Sequence, residues 1–180
     1  MIIFITGTIG AGKTTISNEL SKRLWIYNYE IDELKREIRT KHPDYGHILE
    51  NHLPFPDDLI QKSYKIAIKH FAKLSKEHKH IIVCETLYKK DNRKILFDWA
   101  DKYFNWHIII RLDVDKEVIK KRLNTERKWH LLKDPYGRFL ALKDTFDTFD
   151  KIDLRIKNNW EIDNVANEII YFIKKNYEFK

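Results

Sequence analysis

Gly7-Thr8-Ile9-Gly10-Ala11-Gly12-Lys13-Thr14 fits the pattern G-x-x-x-x-G-K-[ST] at every fixed position. Its flanks fit as well. Met1 to Ile5 is a short apolar run that reads as a buried strand, and Thr15 to Leu24 reads as a helix. Strand, glycine-rich loop and helix together make an anion cradle. Glycines allow a tight turn and a close backbone approach. The N–H groups of the loop and of the first helical turn then point at a phosphate, where the helix dipole favours negative charge. Gly7, Gly10, Ala11, Gly12, Lys13, Thr14 and Thr15 are therefore predicted to hold a nucleotide triphosphate. Lys13 reaches the β- and γ-phosphates in this reading, and the Thr14 hydroxyl holds Mg²⁺.

Working outward, strand and helix signals alternate along the chain. Strands are predicted at Leu24 to Tyr29, Ile81 to Cys84, Trp106 to Leu112 and, more weakly, Ile152 to Ile156. Helices are predicted at Glu33 to Thr40, Asp57 to His78, Asp91 to Tyr103, Asp115 to about Arg127 and Val165 to Lys175. In the longest of these, Ile60, Tyr64, Ala67, Ile68, Phe71 and Leu74 recur at spacings of three and four, one buried stripe. Lys41 to Pro56 contains Pro43, Gly46, Pro54 and Pro56 and reads as a loop. Lys128 to Asp150 lacks clean periodicity. Near-continuous apolar strands separated by helices imply a parallel sheet covered on both faces, an α/β fold. Ligands of such sheets bind outside the carboxyl ends of the strands. Function is thus to be sought at Gly7 to Thr14, Asp32, Glu85-Thr86 and Arg111 to Asp113.

The 180 residues suit one domain with a real core. No apolar run approaches the roughly 20 residues of a membrane helix, and no leader pattern stands at the N-terminus. With Cys84 as the only cysteine, no internal disulfide can form, and a cytoplasmic protein is expected. The net charge of +7 is consistent with an anionic partner, a nucleotide, a phosphorylated metabolite or nucleic acid; a lysine-rich solvated surface gives the same sum.

Several side chains could carry chemistry. Asp32 follows the second strand beside Lys35 and Arg36. A carboxylate there can position a hydroxyl acceptor and take its proton, with a neighbouring cation binding an anionic group; a helix cap is the structural alternative. Glu85 closes the third strand and is a candidate for the Mg²⁺ shell, for acceptor contact, or for a turn. Arg93 is a candidate acceptor-side cation or a surface residue. Arg122, Arg127 and Arg138 lie on or after the helix that follows the fourth strand, at the entrance to the aperiodic segment. Arginine forks suit phosphate oxygens and developing charge, so a lid carrying Arg122 and Arg127, ahead of Arg138, is predicted over about 128–148. His42, His47 and His52 share no face and are not read as a metal site. Asp134-Pro135-Tyr136-Gly137 matches D-x-x-G but falls too late in the chain, and no N-K-x-D guanine reader is present. Cys84 reads as a buried strand residue.

The stretch Phe4 to Thr15, then Asp32-Glu33-Leu34-Lys35, then the Arg122 to Arg127 run, resembles the small P-loop kinases. These include nucleoside monophosphate, shikimate, gluconate and adenylylsulfate kinases and the polynucleotide-kinase-like and zeta-toxin-like branches. The resemblance implies a three-layer α/β/α fold with a five-stranded parallel sheet in order 2-3-1-4-5 and a lid after the fourth strand. It implies ATP and Mg²⁺ as cofactors, Lys13, Asp32, Arg122 and Arg127 as catalytic residues, and Asp32 as the acceptor-side carboxylate. Lys35, Arg36, Glu85 and Arg93 are then the acceptor-binding set, with Thr14 and Glu85 at the metal. Polynucleotide-kinase-like members carry D-x-x-R where this chain has Lys35 followed by Arg36. Asp153 and Asn158 fall near where an adenine would lie in the nucleotide-kinase comparison. The expected activity is Mg²⁺-ATP-dependent transfer to a small metabolite, nucleoside or nucleotide. A 5′-hydroxyl polynucleotide kinase and a nucleotide-binding regulatory ATPase are the rivals.

Overall fold

The computed structural model describes residues 1–125, 134–159 and 161–177. Five strands, β1 (Ile2–Gly7), β2 (Tyr27–Glu30), β3 (Ile81–Cys84), β4 (His107–Asp113) and β5 (Leu154–Lys157), form one sheet. Every pairing is parallel and the order is β2-β3-β1-β4-β5, as the resemblance implies. The helices are α1 (Lys13–Leu24), α2 (Ile31–Arg39), α3 (Tyr45–Glu50), α4 (Asp57–Glu77), α5 (Lys90–Phe104), α6 (Lys116–Asn124), α7 (Pro135–Leu142) and α8 (Ile162–Asn176).

The central strand explains the layering. β1 is buried along its whole length, and its side chains alternate between two cores. Ile3 and Ile5 join Ile16 and Leu20 of α1 and Val165 and Ile169 of α8. Ile2 and Phe4 join Ile60, Tyr64 and Phe71 of α4 and Leu96 and Ala100 of α5. Each face of the sheet therefore has its own helical layer. Among the described residues no helix is long and apolar enough to cross a membrane.

The structure departs from the sequence expectations at several boundaries. α1 runs to Leu24, and Trp25 then takes a left-handed conformation with its N–H on the Ser21 carbonyl, so β2 begins only at Tyr27. β2 passes directly into α2, whose first turn holds Asp32 and Glu33 against the helix dipole. The loop expected over 41–56 contains α3. Six residues cannot sustain a helix alone; this one is held because Ile48 packs with Phe55 and Leu59, with Ile38 alongside. The aperiodic stretch likewise contains α7. It starts with Pro135 in the first turn and an Asp134 side chain that accepts from the Gly137 N–H at 2.8 Å, a start signal that Asp-Pro carries in the sequence. α6 stops at Asn124 and Thr125 is extended, so Arg127 lies beyond that helix and outside the described residues.

Candidate active site

The carboxyl ends of the strands open into a cleft of about 890 Å³. At one end is the loop between β1 and α1. Two of its glycines are required by geometry. Gly7 has φ +151°, and a Cβ there would stand 2.6 Å from the Leu112 carbonyl oxygen. Gly12 has φ +83° and caps α1, and a Cβ would meet the Asn158 amide at 2.6 Å. A side chain at either position would displace the loop.

The loop is braced from several sides. Lys13 Nζ donates to the Thr8 carbonyl at 3.0 Å, and the Ala11 N–H donates to the same oxygen at 3.2 Å. Asn158, just past β5, donates its amide to the Ala11 carbonyl at 2.7 Å. Arg122 of α6 donates to the Gly10 carbonyl at 3.4 Å and to the Asn158 carbonyl at 2.6 Å. Sequence pattern brought Arg122 into consideration as a lid residue; the structure sets it against the phosphate loop itself. Thr14 Oγ1 lies 3.8 Å from the sulfur of Cys84, which is 2% exposed, and burial pushes that thiol up to about 11. Thr14 and Thr15 both line the cleft.

Next to the loop along the cleft, past the end of β3, stand Asp32, Lys35, Arg36 and Glu85. Glu85 is completely buried and accepts an ion-paired hydrogen bond from the buried Lys35 ammonium. Lys35 Nζ is also 3.9 Å from Asp32 Oδ1, whose side chain is largely exposed. Lys35 thus bridges the two carboxylates. Its Nζ also stands 5.3 Å from the centroid of the Tyr64 ring. Burial, and then the neighbouring Glu85 carboxylate, hold the Tyr64 hydroxyl well above its ordinary range. Glu85 Oε2 is buried and makes no hydrogen bond to the described residues. Arg36 lies at the solvent edge, 4.0 Å from Glu33.

One expected acceptor residue is elsewhere. Arg93 is 3% exposed and does not line the cleft. Its guanidinium donates to the carbonyls of Leu87 at 3.3 Å, Asp147 at 3.2 Å and Thr148, and it lies 4.0 Å from the centroid of Phe149. Nearby, the Lys90 N–H donates to Asp147 Oδ2 at 2.7 Å and the Asp147 N–H to the Tyr88 carbonyl at 2.8 Å. Arg93 therefore fixes the trailing end of the segment read as a lid. Asp153, placed near a base by comparison, instead accepts from the Ile109 N–H at 2.9 Å and pairs with Lys151 at 2.6 Å.

Sequence reasoning missed Arg39 and ranked Arg138 last. Both line the cleft, together with Tyr45 and Phe55. Arg39 stands three residues after Arg36 on α2, so helical spacing was the available signal. What brings Arg138 in is the unforeseen α7. Among the described residues no cluster of three or more histidine, cysteine or acidic side chains suits a metal.

Residues 3–135 match the sequence family described as an AAA domain. No curated protein sequence matches the chain. Solved structures similar to it include a gluconokinase from Sinorhizobium meliloti 1021, 15% identical over 98% of this chain and 93% of that one, with a TM-score of 0.73. The Mycobacterium tuberculosis APS kinase in complex with AMPPNP and APS is 16% identical over 96% of both chains, with a TM-score of 0.69. Shikimate kinase from Acinetobacter baumannii in complex with shikimate is 18% identical, covering 97% and 93%, with a TM-score of 0.61. At these identities the likeness is one of fold. With a matched segment running from β1 into the first turn of α7 and a sheet ordered as in the small P-loop kinases, the chain belongs to the AAA domain family.

Proposed function

We propose that this chain is a Mg²⁺-ATP-dependent kinase that phosphorylates a small metabolite, nucleoside or nucleotide. The observation that carries the reading is a complete phosphate loop sharing one cleft with an exposed carboxylate, Asp32. A loop alone suits any nucleotide-binding protein. A loop sharing a cleft with a carboxylate suits transfer to a second substrate.

The loop N–H groups and Lys13 bind the β- and γ-phosphates. Asp32, exposed to the cleft, orients the acceptor hydroxyl and takes its proton as the bond to phosphorus forms. Arg122, already against the Gly10 carbonyl, adds positive charge beside the transferring group. Lys35 holds Asp32 and Glu85 in place. The Thr14 hydroxyl and Glu85 supply hard oxygens of the kind Mg²⁺ takes, and the unbonded Glu85 Oε2 fits that use. When bound, the ion neutralises charge on the phosphate oxygens. The segment from about 128 acts as a lid as far as the Arg93 tether.

The test is transfer from γ-labelled ATP to a panel of metabolites, nucleosides, nucleotides and 5′-hydroxyl oligonucleotides. Labelled product from a small acceptor is expected. Removal of Lys13 (Lys13→Ala) should reduce transfer by about 10²–10³-fold, the usual loss of one electrostatic contact, without unfolding the chain. Transfer to oligonucleotides alone, falling steeply with salt, would establish the polynucleotide rival. Release of inorganic phosphate with no labelled acceptor would establish the ATPase.

A further inference from the structure

We propose that Arg39 and Arg138 form the seat for an anionic group, carboxylate or phosphate, on the phosphoryl acceptor. The inference deepens the kinase reading and rests on it for the word acceptor. It narrows the substrate class to charged molecules and assigns that selectivity to two residues outside the Asp32-Lys35-Arg36 set.

Both guanidiniums pack on one ring. The central carbon of Arg39 is 4.3 Å from the centroid of Phe55, and that of Arg138 is 5.2 Å from it. Tyr45 stacks on the same ring with centroids 6.0 Å apart. The four elements involved are α2, α3, α7 and the connection before α4, and all of these side chains line the cleft. The ring attracts each cation, but it does not neutralise either. Ion pairs among the described residues at this end are Lys35 with Glu85 and Asp32, Arg36 with Glu33, and His52 with Asp134. Neither Arg39 nor Arg138 takes part in them.

Two further facts mark the pair as waiting for a ligand. Arg39 Nε is buried with no hydrogen-bond partner among the described residues. Arg138, 6% exposed, makes one hydrogen bond, from Nη1 to the Leu53 carbonyl at 2.9 Å. That leaves most of its five donors unused. Burial, followed by the charge of Arg39, lowers the Arg138 pKa. Two cations on one ring, one of them buried, repel each other until an anion joins them. Planar guanidinium forks suit a carboxylate or phosphate. Neutral sugars and unphosphorylated nucleosides offer hydrogen-bond acceptors but no charge to neutralise the pair.

The experiment uses the full chain with ¹⁵N-labelled arginine, saturated with Mg-ADP so that the phosphate loop is occupied. The Nε–H resonances of Arg39 and Arg138 are followed during titration with methyl phosphate, acetate or neutral trimethyl phosphate. Saturable shifts of both resonances are expected with at least one of the two anions and none with the neutral ester. The tighter-binding anion distinguishes a phosphorylated acceptor from a carboxylated one. Arg39→Gln gives up no hydrogen bond among the described residues, and it should weaken that binding about tenfold or more with the Mg-ADP affinity unchanged. Arg138→Gln should do the same if it folds; Arg39→Gln decides the matter if it does not. Linear, unsaturable shifts, equal shifts with the neutral ester, or unchanged binding in Arg39→Gln would overturn the proposal. Failure of Mg-ADP to bind before any anion is added would strike the nucleotide reading instead, and the Arg39 resonance would still report on the seat.

Discussion

The phosphate loop and the side-chain cluster beside it are built on different principles. At the phosphate loop the recognising groups belong to the backbone, and the loop is already braced by Lys13, Asn158 and Arg122. In the proposed acceptor region the recognising groups are side chains drawn from α2, the residue after β3, α7 and the segment before α4. There, polar atoms remain unsatisfied, Glu85 Oε2 and Arg39 Nε among them. A preformed backbone cradle serves one ligand group, the polyphosphate. Side chains such as Arg36, Arg39 and Arg138 can be exchanged singly, so under the proposed kinase function substrate choice rests on them.

The largest expected effect tests whether chemistry and nucleotide binding separate along this line. Asp32→Asn keeps the shape and loses the proton acceptor. Transfer should fall by about 10²–10⁴-fold, while isothermal titration shows near-normal ATP affinity. An unchanged rate would place the acceptor carboxylate on another residue.

The next contrast is stability. Lys35→Met leaves Glu85 fully buried without its cation and should cost about 3–5 kcal/mol in urea unfolding. The paired replacement Lys35→Met with Glu85→Met should recover most of that loss. If the double variant is as unstable as the single one, the pair is not the reason.

A third measurement concerns the floor of the phosphate loop. Cys84 is raised from 9.0 to about 11 mainly by burial. The folded state thus holds the thiol proton more tightly than the unfolded state. The resulting stability is complete below pH 9 and is lost as pH rises toward 11. Across that window the wild type should lose about 2–3 kcal/mol more than Cys84→Ala. Parallel unfolding profiles of the two would show that the thiol is not sequestered. The smallest effect belongs to Arg36, whose side chain is half exposed. Arg36→Ala should change the acceptor KM by no more than about 1 kcal/mol, the worth of an exposed charge. A larger change would move the anion seat outward from Arg39.

What the sequence makes legible follows the same division. Gly7, Gly12, Lys13 and Thr14 are recognisable because a backbone cradle is a local object, written in consecutive residues. The sheet is legible because buried parallel strands are continuous apolar runs such as Ile81 to Cys84. Arg39, Phe55 and Arg138 are not legible as a group. Their meeting depends on α3 and α7, short helices held by tertiary contacts such as Ile48 on Phe55, and periodicity over six or eight residues is too brief to declare them. Arg93 shows the converse. A cation in the first turn of the helix that follows a strand resembles a substrate ligand until its carbonyl partners, Leu87, Asp147 and Thr148, are seen.

The buried Lys35–Glu85 bridge also bears on how this chain can change over generations. Neither residue can be replaced alone without stranding a charge in the interior, so neutral drift cannot cross the position one step at a time. The two sites behave as a single locus with two letters. A library that varies Asp32, Arg36, Arg39 and Arg138 while keeping that locus fixed should retain stable members, whereas randomising residue 35 or 85 by itself should fill the library with destabilised chains.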